Sequence, residues 1–205
     1  MGLIKRPGFL TILVLLASGY IFYKYIYDGT EYMKSTVDNN YYRVRKGSDQ
    51  QTKADILAII NGKFKIIVDN LRNDPVYSQK TAVRRLINNW DAGVTIKEIG
   101  HMESDAAYVI NKKHMSFCLQ KKDDLVLEDL NLITYVGIHE LAHIMSAEIG
   151  HGSEFKENFQ FLLDYSGKII YYDPLLKRNL PLYIELKKLN TRDSYCGVSL
   201  ENSVN

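Results

Sequence analysis

His139, Glu140 and His143 stand in the order His-Glu-Leu-Ala-His, and His151 follows in Gly150-His151-Gly152. Residues four apart on a helix share a face, so His139 and His143 point the same way. Two imidazoles on a largely apolar segment need polar partners. A zinc ion is one, because it accepts neutral imidazole nitrogen from both. Glu140 lies about a quarter-turn round from His139, beside that position rather than on it. A carboxylate there can take a proton from attacking water, whose pKa a metal lowers, and hand it to a leaving amine. A catalytic zinc takes three protein ligands and keeps one position open. The glycines flanking His151 can turn the chain back, which makes His151 the expected third ligand beside His139 and His143. Glu154 is the competitor; its other role is a first-turn acid that suits the helix dipole.

These residues need a helix to hold them. The stretch "LEDLNLITYVGIHELAHIMSAE" predicts a long one, capped by Asp129. Leu130, Ile133, Ile138, Leu141, Ile144 and Met145 fall on its core face, and Leu132, Tyr135 and Val136 accompany the histidines. Gly150 and Gly152 are expected to break it, and Ser153 to cap a following helix, "EFKENFQFLLDYSG". Upstream, apolar Ile56, Ile59, Ile60, Ile67 and Leu71 predict a helix from near Thr52 that Asp74-Pro75 ends. Ala82, Leu86 and Trp90 predict a second. "GVTIKEIG" reads as a short strand. Ala107–Ile110, a turn at Asn111-Lys112-Lys113, and Met115–Leu119 read as a β-hairpin. The tail, "YYDPLLKRNLPLYIELKKL", offers at most one more short helix. Helices, a hairpin and helices again predict an α+β domain with a small antiparallel sheet.

The chain has 205 residues, a length for one domain plus a tail. Its 26 Lys and Arg are balanced by 24 Asp and Glu, and the net charge of +2 shows no basic stripe. No nucleic-acid partner is therefore expected. The two cysteines, Cys118 and Cys196, form no CxxC pair. One disulfide and two buried free thiols are both open.

Residues 8–23, "GFLTILVLLASGYIFY", carry no charge. With "KYIY" the run reaches about 20 residues, the length of a membrane-spanning helix. Lys24 and the flanking tyrosines suit an interface. Lys5 and Arg6 upstream, against Asp28 and Glu31 downstream, place a short cytosolic N-terminus at 1–7 and a signal anchor at 8–27. The expected localisation is a single-pass membrane protein, its domain on the opposite side (luminal, extracellular or virion). Residues 28–50 read as a flexible juxtamembrane tether, 51–200 as the folded domain and 201–205 as a disordered tail.

"HELAH" followed by "GHGSEF" resembles the small single-domain HExxH zinc metallopeptidases, and within them the WLM and SprT-like group. There a third histidine follows after a short turn, with a phenylalanine four residues on; here these are His151 and Phe155. "AAYVINKKHMSFCL" and "YCGV" (Tyr195–Val198) are similar to segments of metallopeptidase-like proteins from large DNA viruses. One departure stands out: two extra residues separate the first and third histidines relative to that group. The metzincin pattern does not fit either, since it would need a histidine where Ile149 stands. The resemblance implies a zincin-like fold, a Zn2+ cofactor and peptide-bond hydrolysis. It also implies a protein or peptide substrate paired with an edge strand, for which Met115–Leu119 is the expected edge. The expected function is a membrane-anchored zinc metallopeptidase with Glu140 as general base. The alternative is a non-catalytic, zinc-stabilised binder of a peptide or partner on a peptidase fold. His101 and His114 are assigned no role.

Overall fold

Along Tyr41–Arg45, Tyr42 and Val44 are buried while Tyr41 is exposed, the period-two pattern of a half-buried strand. This is β2, and its neighbours assemble on it. The computed structural model describes residues 8–27, 29–101, 103, 105–120, 126–186 and 194–199. Strand β1 (Thr30–Lys34) pairs antiparallel with β2, Tyr32 opposite Arg43. Strand β3 (Thr95–Glu98) runs parallel to β2, and β5 (His114–Phe117) parallel to β3. Strand β4 (Ala107–Ile110) closes the sheet antiparallel to β5, giving the order β1-β2-β3-β5-β4.

The sheet is therefore mixed, not antiparallel as the hairpin alone suggested. The reason is the connection. Between β2 and β3 the chain passes through α2 (Gln50–Asn73) and α3 (Thr81–Asp91), and such a crossover returns it in its original direction. Residues 28–50, expected as a tether, supply β1 and β2, so the domain begins upstream of 51. Their alternation is short, and each strand is only five residues long.

Helix α4 (Leu130–Met145) lies at the centre, packed against α2, α3 and α5 (Ser153–Ser166). A Cβ at Gly137 would collide with the Phe64 ring, so glycine is what lets α2 and α4 approach there. Glu98, fully buried, accepts from Arg45 Nε at 2.7 Å and lies 3.4 Å from Lys53 Nζ, tying β3 to β2 and α2. The tail, where at most one short helix was expected, forms the hairpin of β6 (Ile170–Asp173) with β7 (Arg178–Pro181), and beyond it β8 (Ser194–Tyr195) pairs with β9 (Val198–Ser199). Cys118 and Cys196 are disulfide-bonded, with 6.3 Å between their Cα atoms. The bond fastens the last hairpin to the end of β5, beside fully buried Tyr195, whose hydroxyl donates to the Cys118 carbonyl.

Helix α1 (Phe9–Tyr27) exists, but the expected transmembrane helix over 8–27 does not stand. Among the described residues no helix is long and apolar enough to cross a membrane. Its 19 residues rise about 28 Å, short of the ~30 Å of a hydrocarbon core. The single-pass localisation is withdrawn with it. Residues 1–7 and 201–205 lie outside the described residues.

Candidate metal centre

Helix α4 starts where Asp129 Oδ1 accepts from the backbone N–H groups of Asn131 and Leu132, at 2.9 and 3.1 Å. It ends at Met145, earlier than its glycines suggested. Ser146 turns extended, and its hydroxyl donates to the Ala142 carbonyl at 2.7 Å, which occupies a terminal acceptor. The next helix is capped by Gly152, with Ser153 its first residue. The seven residues between, Ser146 to Gly152, carry His151 back over α4.

The imidazoles converge. His143 Nε2 is 3.2 Å from His139 Nε2, and His151 Nε2 is 3.1 Å from the same atom. Two nitrogens bound tetrahedrally to one zinc at 2.0–2.1 Å stand about 3.3–3.4 Å apart, so the donor set fits a metal ion. His139 is buried; among the described residues its Nδ1 has no hydrogen-bond partner, while its Nε2 faces the other two imidazoles. Phe155, fully buried in the first turn of α5, forms a common floor. Its ring centroid lies 4.3 Å from that of His143, 4.7 Å from His151 and 4.8 Å from His139.

Burial pushes His139 down to about 3, helped by the neighbouring His143 and His151. It pushes His143 down to about 4, with His151 and Lys112 adding to it. Both rings are neutral at pH 7, the form a metal binds. Glu140 is also buried, and burial pushes its carboxyl up to about 8. A cation held by the histidines would favour its ionised form.

Glu154 does not join the cluster. Its Oε1 accepts from Arg85 Nη1 at 2.8 Å and its Oε2 from the Ala147 N–H at 2.8 Å. His139, Glu140, His143 and His151 instead line a cleft of about 460 Å³ whose opposite wall is β4, with Tyr108 and Val109. Strand β4 is the edge of the sheet, whereas β5, which contains most of Met115–Leu119, lies between β3 and β4. The expected edge is corrected accordingly: the hairpin was legible, but not which of its strands would find a second partner. His114 is exposed, its Nδ1 2.8 Å from Thr95 Oγ1, and stands outside the cleft's lining. Sequence reasoning passed over Arg85 and Lys112. Lys112 reaches the His151 loop and Arg85 the helix ends on either side of it, both from remote elements, and no local spacing marks them.

Fold and site together define a class: an α+β domain whose central helix presents His-Glu-x-x-His, completed by a loop histidine, across a cleft from a sheet edge. The chain belongs to the same family as uncharacterized protein R325 of Acanthamoeba polyphaga mimivirus, to which it is 31% identical over 137 residues, 66% of this chain and 70% of that protein. It is 30% identical to uncharacterized protein 136R of Invertebrate iridescent virus 6, over 60% of this chain and 71% of that one. A shorter match, 37% identical over 36% of this chain and 46% of the other, joins it to uncharacterized protein 042R of Invertebrate iridescent virus 3. No family model matches the chain. Among solved structures, a mutant of Wss1 from S. pombe superposes with a TM-score of 0.32 at 20% identity, over 51% of this chain and 86% of that one.

Proposed function

We propose that this chain is a zinc-dependent peptidase. The observation that carries the reading is the convergence of three imidazoles whose ligand nitrogens lie within 4.8 Å of one another, beside buried Glu140 of the helix that bears two of them. His139, His143 and His151 would hold the ion, and an all-imidazole donor set suits zinc among the common metals. When bound, zinc polarises a carbonyl and lowers the pKa of water. Glu140, ionised beside that charge, takes the proton from the attacking water and delivers it to the leaving amine.

The substrate lies along β4. Cys118 N donates to the Ala106 carbonyl, so Ala106, Tyr108 and Ile110 face β5 with their backbone groups by the alternation of an antiparallel pair. The N–H and C=O of Ala107 and Val109 then point to the open edge. An extended peptide pairing there would run along the cleft that the histidines line.

Metal content of the full chain, measured by mass spectrometry with His139→Ala, His151→Ala and Glu140→Gln alongside, tests this. One zinc in the parent, lost from both histidine variants and kept in Glu140→Gln, is expected. Peptide hydrolysis is expected in the parent and lost in Glu140→Gln. Zinc uptake without turnover in the parent would favour a non-catalytic, zinc-stabilised binder. No zinc in a folded parent supplied with the metal would end the peptidase reading.

A further inference from the structure

The loop from Ser146 to Gly152 is held at its start by groups from three other elements. Arg85 of α3 sends Nη1 to the Met145 carbonyl at 2.6 Å and to Glu154 Oε1 at 2.8 Å. Glu154 of α5 turns its second oxygen back on the loop, accepting from the N–H groups of Ala147 at 2.8 Å and Glu148 at 3.3 Å. Lys112, in the β4–β5 turn, donates to the Ser146 carbonyl. Asn158 of α5 donates to Ser146 Oγ at 2.9 Å. Loops between helices are ordinarily the mobile part of a fold. This one has the N–H groups of Ala147 and Glu148 and the carbonyls of Met145 and Ser146 tied down, and it bears the histidine that must meet a helix.

We infer that Arg85 and Glu154 are positioning residues for the metal centre: their ion pair clamps the α4–α5 loop so that His151 meets His139 and His143. The inference rests on the metal site proposed above. Glu154 acts through the backbone and not as a ligand, because both its oxygens are engaged away from the cluster. Arg85 bridges the end of α4 to the start of α5, the two ends of the segment that carries His151. The hydrogen bond from Arg85, helped by those from the Ala147 and Glu148 N–H groups, holds the Glu154 carboxyl below its ordinary range, so the clamp is charged at neutral pH.

The test compares the full chain with Glu154→Ala, Glu154→Gln and Arg85→Met. Zinc affinity is read by competition with a chromogenic chelator, and amide exchange at Ala147 and Glu148 is followed in the metal-free chain. Glu154→Ala and Arg85→Met should each weaken zinc binding about 10- to 100-fold, the usual effect of losing a group that orients a ligand. Both should speed exchange at the two amides. Glu154→Gln keeps one acceptor oxygen for those amides but loses the ion pair with Arg85, and should restore only part of both. With Co2+ in place of zinc, the visible spectrum should change in Glu154→Ala. Arg85→Met that binds zinc as tightly as the parent, or tighter, would overturn the clamp and return Glu154 to the ligand set. Unchanged amide exchange in both variants would overturn it independently of any metal. A parent chain that takes up no zinc would overturn the metal site and the clamp's role toward it, and the exchange rates would show separately whether the loop is held.

Discussion

His139 and His151 are twelve positions apart in sequence, and their Nε2 atoms stand 3.1 Å apart. One sits on a buried helix and the other on a turn that doubles back over it. Both pack on one ring, Phe155, whose centroid lies within 5 Å of each imidazole's.

Phe155→Ala should therefore damage stability and site together. The ring is fully buried, and truncating a buried phenylalanine costs about 3–5 kcal/mol. Urea denaturation of the metal-free chain would measure this. Phe155→Leu keeps most of the volume and should lose much less. Equal midpoints for Phe155→Ala and the parent would refute the shared floor.

The free edge of β4 gives a paired prediction. Val109→Pro removes an N–H that points away from β5, and an edge strand tolerates proline there. The fold and zinc content should persist, while kcat/KM on a peptide falls about 2- to 10-fold, the worth of one hydrogen bond. Tyr108→Pro removes an N–H from inside the ladder and should lower the melting temperature instead. Full peptidase activity in Val109→Pro would argue against main-chain pairing at this edge.

Glu98 supports the sheet from within. Arg45 and Lys53 beside it are both almost wholly buried. Glu98→Gln leaves two buried cations without their shared carboxylate, and breaking such a group costs about 3–5 kcal/mol. Chemical denaturation should show that loss, and a change under 1 kcal/mol would contradict it.

Lys63 predicts a pH dependence away from the histidines. Its ammonium is buried, donating to Thr134 Oγ1 at 2.9 Å and to the Leu182 carbonyl at 3.0 Å. Burial pushes its pKa from 10.5 down to about 8, against the pull of Asp173 and Asp129. Between pH 8 and 10.5 the unfolded chain thus binds more protons at this site, so stability gains with rising pH from this group. The gain should be roughly 1–3 kcal/mol and absent from Lys63→Met. Identical pH slopes in parent and variant would show that the amine is not desolvated as described.

The sequence by itself carried the His-Glu-x-x-His motif, the helices that bear it and the hairpin facing it. Each is a local pattern. His139 and His143 share a face because a helix repeats every 3.6 residues, and Asp129 caps that helix through its own next residues. His151 was legible because the turn that returns it is short. Tertiary structure alone decided the rest. Glu154 could be set apart from the histidine cluster only through its pairing with Arg85, 69 positions away. That β4 and not β5 is the free edge depended on β3 arriving in parallel after a two-helix crossover. Cys118 and Cys196 pair across 78 residues. The apolar run at the N-terminus shows the limit of composition, since charge-free length suggested a span that the helix itself does not reach. Periodicity acts between neighbours in the chain, whereas sheet order, ion pairing and cross-links join groups that only the finished packing brings together.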